Sequence, residues 1–143
     1  VELDTSKNTE FKDINDNHVG IDINGMVSEV SAPAGYYVGE GVITNGQPVQ
    51  VWVAYDGSKK QINVSMSPVS NGKPYIPLLS LTRDLSPILN EIMYIGFSAS
   101  TSKLTACAYV LGWSFKLNGQ AEEIVLSKLP KLPPLGPKKD LNI

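Results

Sequence analysis

The chain holds 143 residues, 42% of them hydrophobic, 18% charged and 8% aromatic, with a formal net charge of -2. That is one domain's length with a globular balance: too apolar for disorder, and without an apolar run near the roughly 18 residues of a transmembrane helix. The near-neutral charge excludes the basic surface that nucleic acid demands, while one cysteine (Cys107) and one histidine (His18) exclude a disulfide framework and limit histidine-dependent catalysis.

The chain opens directly on an apparent strand, without an initiator Met or a signal peptide. From there the dominant period is two. Strands are predicted at about 1–5, 18–24, 26–32, 48–55, 60–66, 76–82, 93–100 and 109–117. In the fourth, Val49, Val51, Val53 and Tyr55 share one face; in the fifth, Ile62, Val64 and Met66 alternate with Gln61, Asn63 and Ser65. In the last, Tyr109, Leu111, Trp113, Phe115 and Leu117 alternate with Val110, Gly112, Ser114 and Lys116. This is the pattern of half-buried strands. Asn24-Gly25 and Asp56-Gly57 read as hairpin turns, and Asn45-Gly46, Asn71-Gly72 and Asn118-Gly119 as further turns. Only Asp84 to Ile92, with Pro87 near its start, reads as a helical turn or two. The sum is an all-β sandwich over residues 1–129. Four prolines within residues 130–137 then fix φ and remove backbone donors, so 130–143 reads as an extended tail or linker.

The strongest chemical signal lies in the first 18 residues. Glu2 and Asp4 stand two apart on a strand and share one face; Asn8 and Asp13 follow in a loop, and His18 begins the next strand. This set can serve two adjacent cations. A transition-metal site would use Glu2, Asp4, Asp13 and His18, with waters completing an octahedron. An all-oxygen calcium site would use Asp4, Asn8, Asp13 and a loop carbonyl, that of Ser6. Asp4 and Asp13 would bridge both ions, which relieves their mutual repulsion. The plain alternative is a group of solvated strand-end carboxylates beside an isolated imidazole.

Other residues carry weaker signals. Trp52 and Trp113 lie in alternating strands and read as core, and Cys107 reads as a buried or idle thiol. Asn63-Val64-Ser65 is an N-glycosylation sequon with Asn63 on the polar face of its strand. Lys59-Lys60 and Lys138-Lys139 read as solvated pairs.

The run Val1-Glu2-Leu3-Asp4-Thr5, then Asn8, Asp13 and His18-Val19-Gly20-Ile21-Asp22-Ile23-Asn24, resembles the metal-binding signature of legume lectins. The likeness continues through Gln50-Val51-Trp52-Val53, Met93 to Thr101 and Val110 to Phe115, and so covers residues 1 to about 130. Asn17 to Asp22, Ser31 to Tyr37 and Leu126 to Pro133 are most similar to the lectin-like ectodomains of plant L-type lectin receptor kinases. The resemblance implies an antiparallel jelly-roll sandwich, of which this chain is the C-terminal half, with calcium and manganese behind a shallow sugar site. Residue by residue, Glu2, Asp4, Asp13 and His18 match the manganese ligands; Asp4, the Ser6 carbonyl, Asn8 and Asp13 match the calcium ligands. Ser28 falls where relatives hydrogen-bond a manganese-bound water. Asn8, with Lys103 and Leu104 of the specificity loop, matches sugar-contacting positions. The resemblance also implies a plant plasma-membrane ectodomain or secreted protein, with the Pro-rich tail as a juxtamembrane linker.

The departures from the family pattern are as specific as the matches. The family's sugar site also takes an Asp and a Gly from the half that precedes the metal strand. Ser6 stands where sugar-binding relatives place an aromatic ring, Ser102 replaces a common Gly and Ala108 a common His. The expected function is therefore a carbohydrate-binding module with weak sugar affinity. The alternative is a degenerate lectin-like receptor or assembly module for an apolar or adenine-like ligand or a protein partner. A second chain completing the sandwich, or a homo-oligomer, is the expected partner. An enzyme is not expected: related jelly-roll glycosidases need a further carboxylate on the strand, and Ser6 and Lys7 supply none. Gly96-Phe97-Ser98-Ala99-Ser100 lacks the second glycine of a nucleophile elbow.

Overall fold

Period-two patterning becomes actual pairing in the first 82 residues of the computed structural model, which describes residues 1–35, 46–101 and 107–133. Strands β1 (Glu2–Asp4), β2 (His18–Asp22) and β3 (Ser28–Pro33) form one antiparallel sheet in that order. Strands β4 (Val49–Asp56), β5 (Gln61–Pro68) and β6 (Leu79–Thr82) form a second. The β4–β5 register runs unbroken from Val49 opposite Pro68 to Asp56 opposite Gln61. The architecture is all-β, and its helical content among the described residues is two single 3-10 turns, Thr9–Phe11 and Leu126–Lys128. No helix among those residues is long and apolar enough to cross a membrane.

Side chains alternate across each strand, and this alternation sorts core from site. On β2, Val19 and Ile21 join Ala34, Ile62, Val64, Met66 and Leu79 in a buried apolar cluster drawn from both sheets. Val30, Ala32, Val49, Val51, Leu78, Leu81 and Leu85 pack around it. Full burial of one such side chain contributes about 1.5–3 kcal/mol. The opposite face of β2 carries His18, Gly20 and Asp22. A register shift between Ile21 and Asp22 sets Ser28 opposite Asp22. The sheets are also tied by charge, with Arg83 Nη2 3.4 Å from Glu29 Oε1.

Turns follow their chemistry. Asn24 and Lys60 take the left-handed backbone, at φ 56° and 52°, where the two hairpins reverse. Asp56 caps the second reversal: its Oδ1 accepts from the Ser58 N–H at 3.0 Å, the Ser58 hydroxyl at 2.6 Å and the Lys59 N–H at 3.1 Å. These donors, the Ser58 hydroxyl foremost, hold the Asp56 carboxyl below its usual range. The expected helix at 84–92 is one turn, in which Ile88 and Leu89 N–H both donate to the Leu85 carbonyl at 2.9 Å.

The chain divides into two compact units, Val1–Gly96 and Phe97–Ile143. Here the structure corrects two expected strands. Neither 93–100 nor 109–117 enters a ladder. An extended segment needs a neighbouring backbone to satisfy its N–H and C=O groups, and no described segment of the second unit offers one. The expectation that Trp113 is core is likewise overturned: it is 54% exposed, held edge-on to Phe97 with ring centroids 5.7 Å apart. Phe115 and Leu117 are exposed as well, as is Cys107. Local order in this unit comes from the Ser114 hydroxyl, which donates to the Glu122 carbonyl at 2.6 Å. It also comes from Leu129, which crosses Gly112 so closely that an added Cβ there would lie 2.7 Å from Leu129 Cδ2. Trp52, by contrast, is half-buried on β4.

Candidate metal centre

The site is built on the outer face of β1 and β2. Antiparallel register sets Glu2 opposite Gly20 and Asp4 opposite His18, so two carboxylates and one imidazole meet over two strands. One ligand atom from each of Glu2, Asp4 and His18 falls within a 4.8 Å cluster. His18 is 1% exposed, and its Nδ1 lies 2.9 Å from the Asn15 carbonyl oxygen. A carbonyl can only accept, so Nδ1 carries the proton and Nε2 of the neutral ring offers a lone pair. That lone pair faces Glu2 Oε1 at 3.4 Å and Asp13 Oδ1 at 3.9 Å. Acceptor atoms therefore converge, and one donor that reaches them is the Ser28 hydroxyl, 2.6 Å from Glu2 Oε1. This arrangement calls for positive charge, as a bound cation or an imidazolium.

The loop between β1 and β2 aims the remaining carboxylates. Asp4 Oδ1 accepts the Ser6 N–H at 2.7 Å, and Asp13 Oδ2 accepts the Asn8 N–H at 2.6 Å. Each bond uses one oxygen and leaves the other for a ligand. The Asn8 carbonyl in turn accepts the N–H groups of Phe11 at 3.1 Å and Asp13 at 3.3 Å, and Lys12 closes the 3-10 turn with φ 64°. Asn8, Asp13 and Ser6 are thus tied into one hydrogen-bonded loop above the strands.

Sequence reasoning missed three contributors. Asn15 sets the His18 tautomer through its carbonyl. Gly20 is needed for space: a Cβ there would lie 2.5 Å from Glu2 Oε1 and would collide with the Ser28 hydroxyl. Asp22 accepts from Ser28, whose hydroxyl oxygen stands 2.7 Å from Asp22 Oδ1 and 2.6 Å from Glu2 Oε1. Strand alternation carries the signal for the last two, since Gly20 and Asp22 share a face with His18.

The other expected positions stand apart. Lys103 and Leu104 lie outside the described residues. Asn63 sits on the middle strand of its sheet, half-buried, with its amide donating to Gln61 Oε1 at 3.3 Å, and Ser65 of the same sequon is buried.

Residues 1–131 match the legume lectin domain. L-type lectin-domain containing receptor kinase V.9 of Arabidopsis thaliana is 50% identical over 139 residues, covering 93% of this chain and 21% of the relative. Receptor kinase IV.1 of the same plant is 50% identical over 144 residues, covering 97% and 21%. The rice (Oryza sativa subsp. japonica) L-type lectin-domain containing receptor kinase SIT2 is 46% identical over 144 residues, covering 96% and 21%. The chain thus spans about a fifth of the length of the curated relatives it matches. It belongs to the legume lectin domain family.

Proposed function

From that membership we propose that this chain is a carbohydrate-recognition module whose binding loop is held by calcium and a transition metal, manganese in this family. The observation that carries the reading is the convergence of His18 Nε2 with carboxylate oxygens of Glu2 and Asp13, 3.4 Å and 3.9 Å away, with a ligand atom of Asp4 in the same cluster. Glu2, Asp4, Asp13 and His18 would hold the manganese, and Asp4, Asp13, Asn8 and the Ser6 carbonyl the calcium. The ions supply charge neutralisation and a fixed geometry. The chain supplies the orientation: Asn8, pinned by its N–H bond to Asp13, presents its side chain to a sugar hydroxyl. Lys103 and Leu104 would complete the contact. No catalytic role is assigned to any residue.

A second reading is favoured by the exposed apolar side chains of the second unit, among them Trp113, Phe115 and Leu117. Apolar faces of this kind are association surfaces. In this reading residues 1–129 are part of a sandwich whose remaining strands come from elsewhere in a longer chain, from a second chain or from a second copy. Residues 130–143 would be a linker. The names of the relatives, receptor kinases of plants, favour an ectodomain outside the plasma membrane.

Calorimetry against mannose, galactose and glucose tests the sugar reading. A single neutral hydrogen bond contributes only about 1 kcal/mol net, and Ser6 offers no ring for the pyranose to stack on. The expected affinity for a monosaccharide is therefore millimolar or weaker, about -4 kcal/mol or less. It should vanish on chelation, because the metal-held loop orients Asn8. Binding that persists in EDTA would contradict the reading, and micromolar affinity would show that further anchors exist in this chain.

A further inference from the structure

We infer that Asn63 on β5 is a site of N-glycosylation that is open only before its sheet forms, and that the attached glycan assigns the outer face of that sheet to solvent. The site depends on the ectodomain reading above, because the secretory route supplies the transferring enzyme. Asn63 and Ser65 of the sequon stand two apart on the face of β5 opposite the core side chains Ile62, Val64 and Met66. Directly beside Asn63 lie Ala54 on β4 and Ser80 on β6, both small and exposed, so a sugar on the Asn63 amide meets no bulky neighbour across either strand. Ser65, by contrast, is 4% exposed, opposite the half-buried Trp52.

The chemistry sets the order of events. In the transfer, Asn63 Nδ2 bonds to C1 of the first sugar of a polyprenyl-pyrophosphate-linked oligosaccharide. The C1–O bond to the pyrophosphate breaks, the lipid pyrophosphate leaves, and Nδ2 gives up one proton. The transferring enzyme reads the acceptor through the hydroxyl two residues on, here that of Ser65. It needs that hydroxyl accessible on a free segment of chain. In the folded sheet the hydroxyl is buried, and β4 and β6 hold the Asn63 backbone on both edges. Pairing of β5 therefore closes the site. The product still fits the fold, because Asn63 is half-buried rather than enclosed, and its Nδ2 keeps one hydrogen for Gln61 Oε1, 3.3 Å away. A bulky, solvated glycan on the middle strand keeps a second protein surface off this face and leaves association of the chain to other surfaces.

The test translates the full chain behind a secretory signal into endoplasmic-reticulum microsomes. The signal imposes the compartment, so failure speaks to the site and not to the chain's natural address. One endoglycosidase-sensitive mass increment is expected, lost in Asn63→Gln and Ser65→Ala and retained in Ser65→Thr. The purified folded chain is then offered to solubilised oligosaccharyltransferase with lipid-linked oligosaccharide. Beside it stands the full-length Val19→Asp/Ile21→Asp variant, whose two core carboxylates keep it unfolded. The folded chain should be modified at least about 100-fold more slowly, because a middle strand opens only with the sheet around it. Sedimentation should give the glycosylated chain and Asn63→Gln the same association state. A translocated chain without the glycan, or equal rates for the folded and unfolded chains, would overturn the inference. Loss of association on glycosylation would overturn the assignment of this face to solvent.

Discussion

Residues 49–68 and residues 109–117 carry the same alternation of apolar and polar side chains and meet different fates. The first become β4 and β5, eight ladder partners in register, with Ile62, Val64 and Met66 buried. The second stay without a ladder and leave Trp113, Phe115 and Leu117 between 54% and 74% exposed. The difference lies in what stands beside them. The Asp56-Gly57 reversal delivers β4 its partner within four residues, and β6 closes the other side of β5. Period two states which face of a segment is apolar; it does not supply a second backbone to bond with. The same comparison explains the site. The candidate ligands Glu2, Asp4 and His18 lie where pairing is complete, because the β1–β2 ladder itself brings them together.

The contrast can be broken first at its core. Ile21→Ala removes a side chain that is 2% exposed and should cost about 2–5 kcal/mol. Trp113→Ala removes a larger side chain that is 54% exposed and should change stability by only about 0.5 kcal/mol or less. Urea unfolding of the two variants decides it; a loss at Trp113 equal to that at Ile21 would mean that the second region is packed. A smaller effect is expected at Gly20→Ala, where the new methyl meets Ser28 and Glu2. Overpacking of this kind costs about 1–3 kcal/mol, and metal affinity should fall with it, whereas Gly25→Ala, with open space around it, should be silent in metal titrations.

The smallest expected effect is a pH dependence at the end of β6. The Lys60 ammonium beside Asp84, with the Ser86 N–H and hydroxyl, lowers the Asp84 carboxyl to about 2, and Asp84 in turn raises Lys60. A depressed carboxyl contributes stability above its ordinary range, near 3.9, and loses it as pH falls toward the folded value. Asp84→Asn should therefore narrow the difference in urea midpoint between about pH 5 and pH 2. The pair is exposed, so the change should be slight.

Much of this was legible in the chain. The six strands of the two sheets lie within the predicted ones to within a few residues, and the Asn24-Gly25 and Asp56-Gly57 reversals fall where the turn chemistry puts them. Glu2, Asp4 and His18 converge as their spacing implies. Less legible was the support. Asn15 acts through its backbone carbonyl, which every residue possesses, so no side-chain signal marks it. Gly20 reads as a weak point in a strand until the register places Ser28 and Glu2 over it. The register shift that pairs Ser28 with Asp22 inserts Glu29 as an extra residue, and period-two counting does not anticipate it. Strands 93–100 and 109–117 failed for the opposite reason: their local pattern is right, and pairing is a non-local property.

The central claim is that the acceptor cluster on β1, β2 and their loop exists to hold two cations. Elemental analysis of the folded chain after dialysis against calcium and manganese, read together with its melting curve before and after EDTA, addresses it directly. One equivalent of each metal is expected. Their removal should lower the melting temperature, by an amount corresponding to about 2.7 kcal/mol per metal held at a hundredfold excess over its Kd. A folded chain that retains neither metal, with a melting curve that EDTA leaves unmoved, would contradict the account.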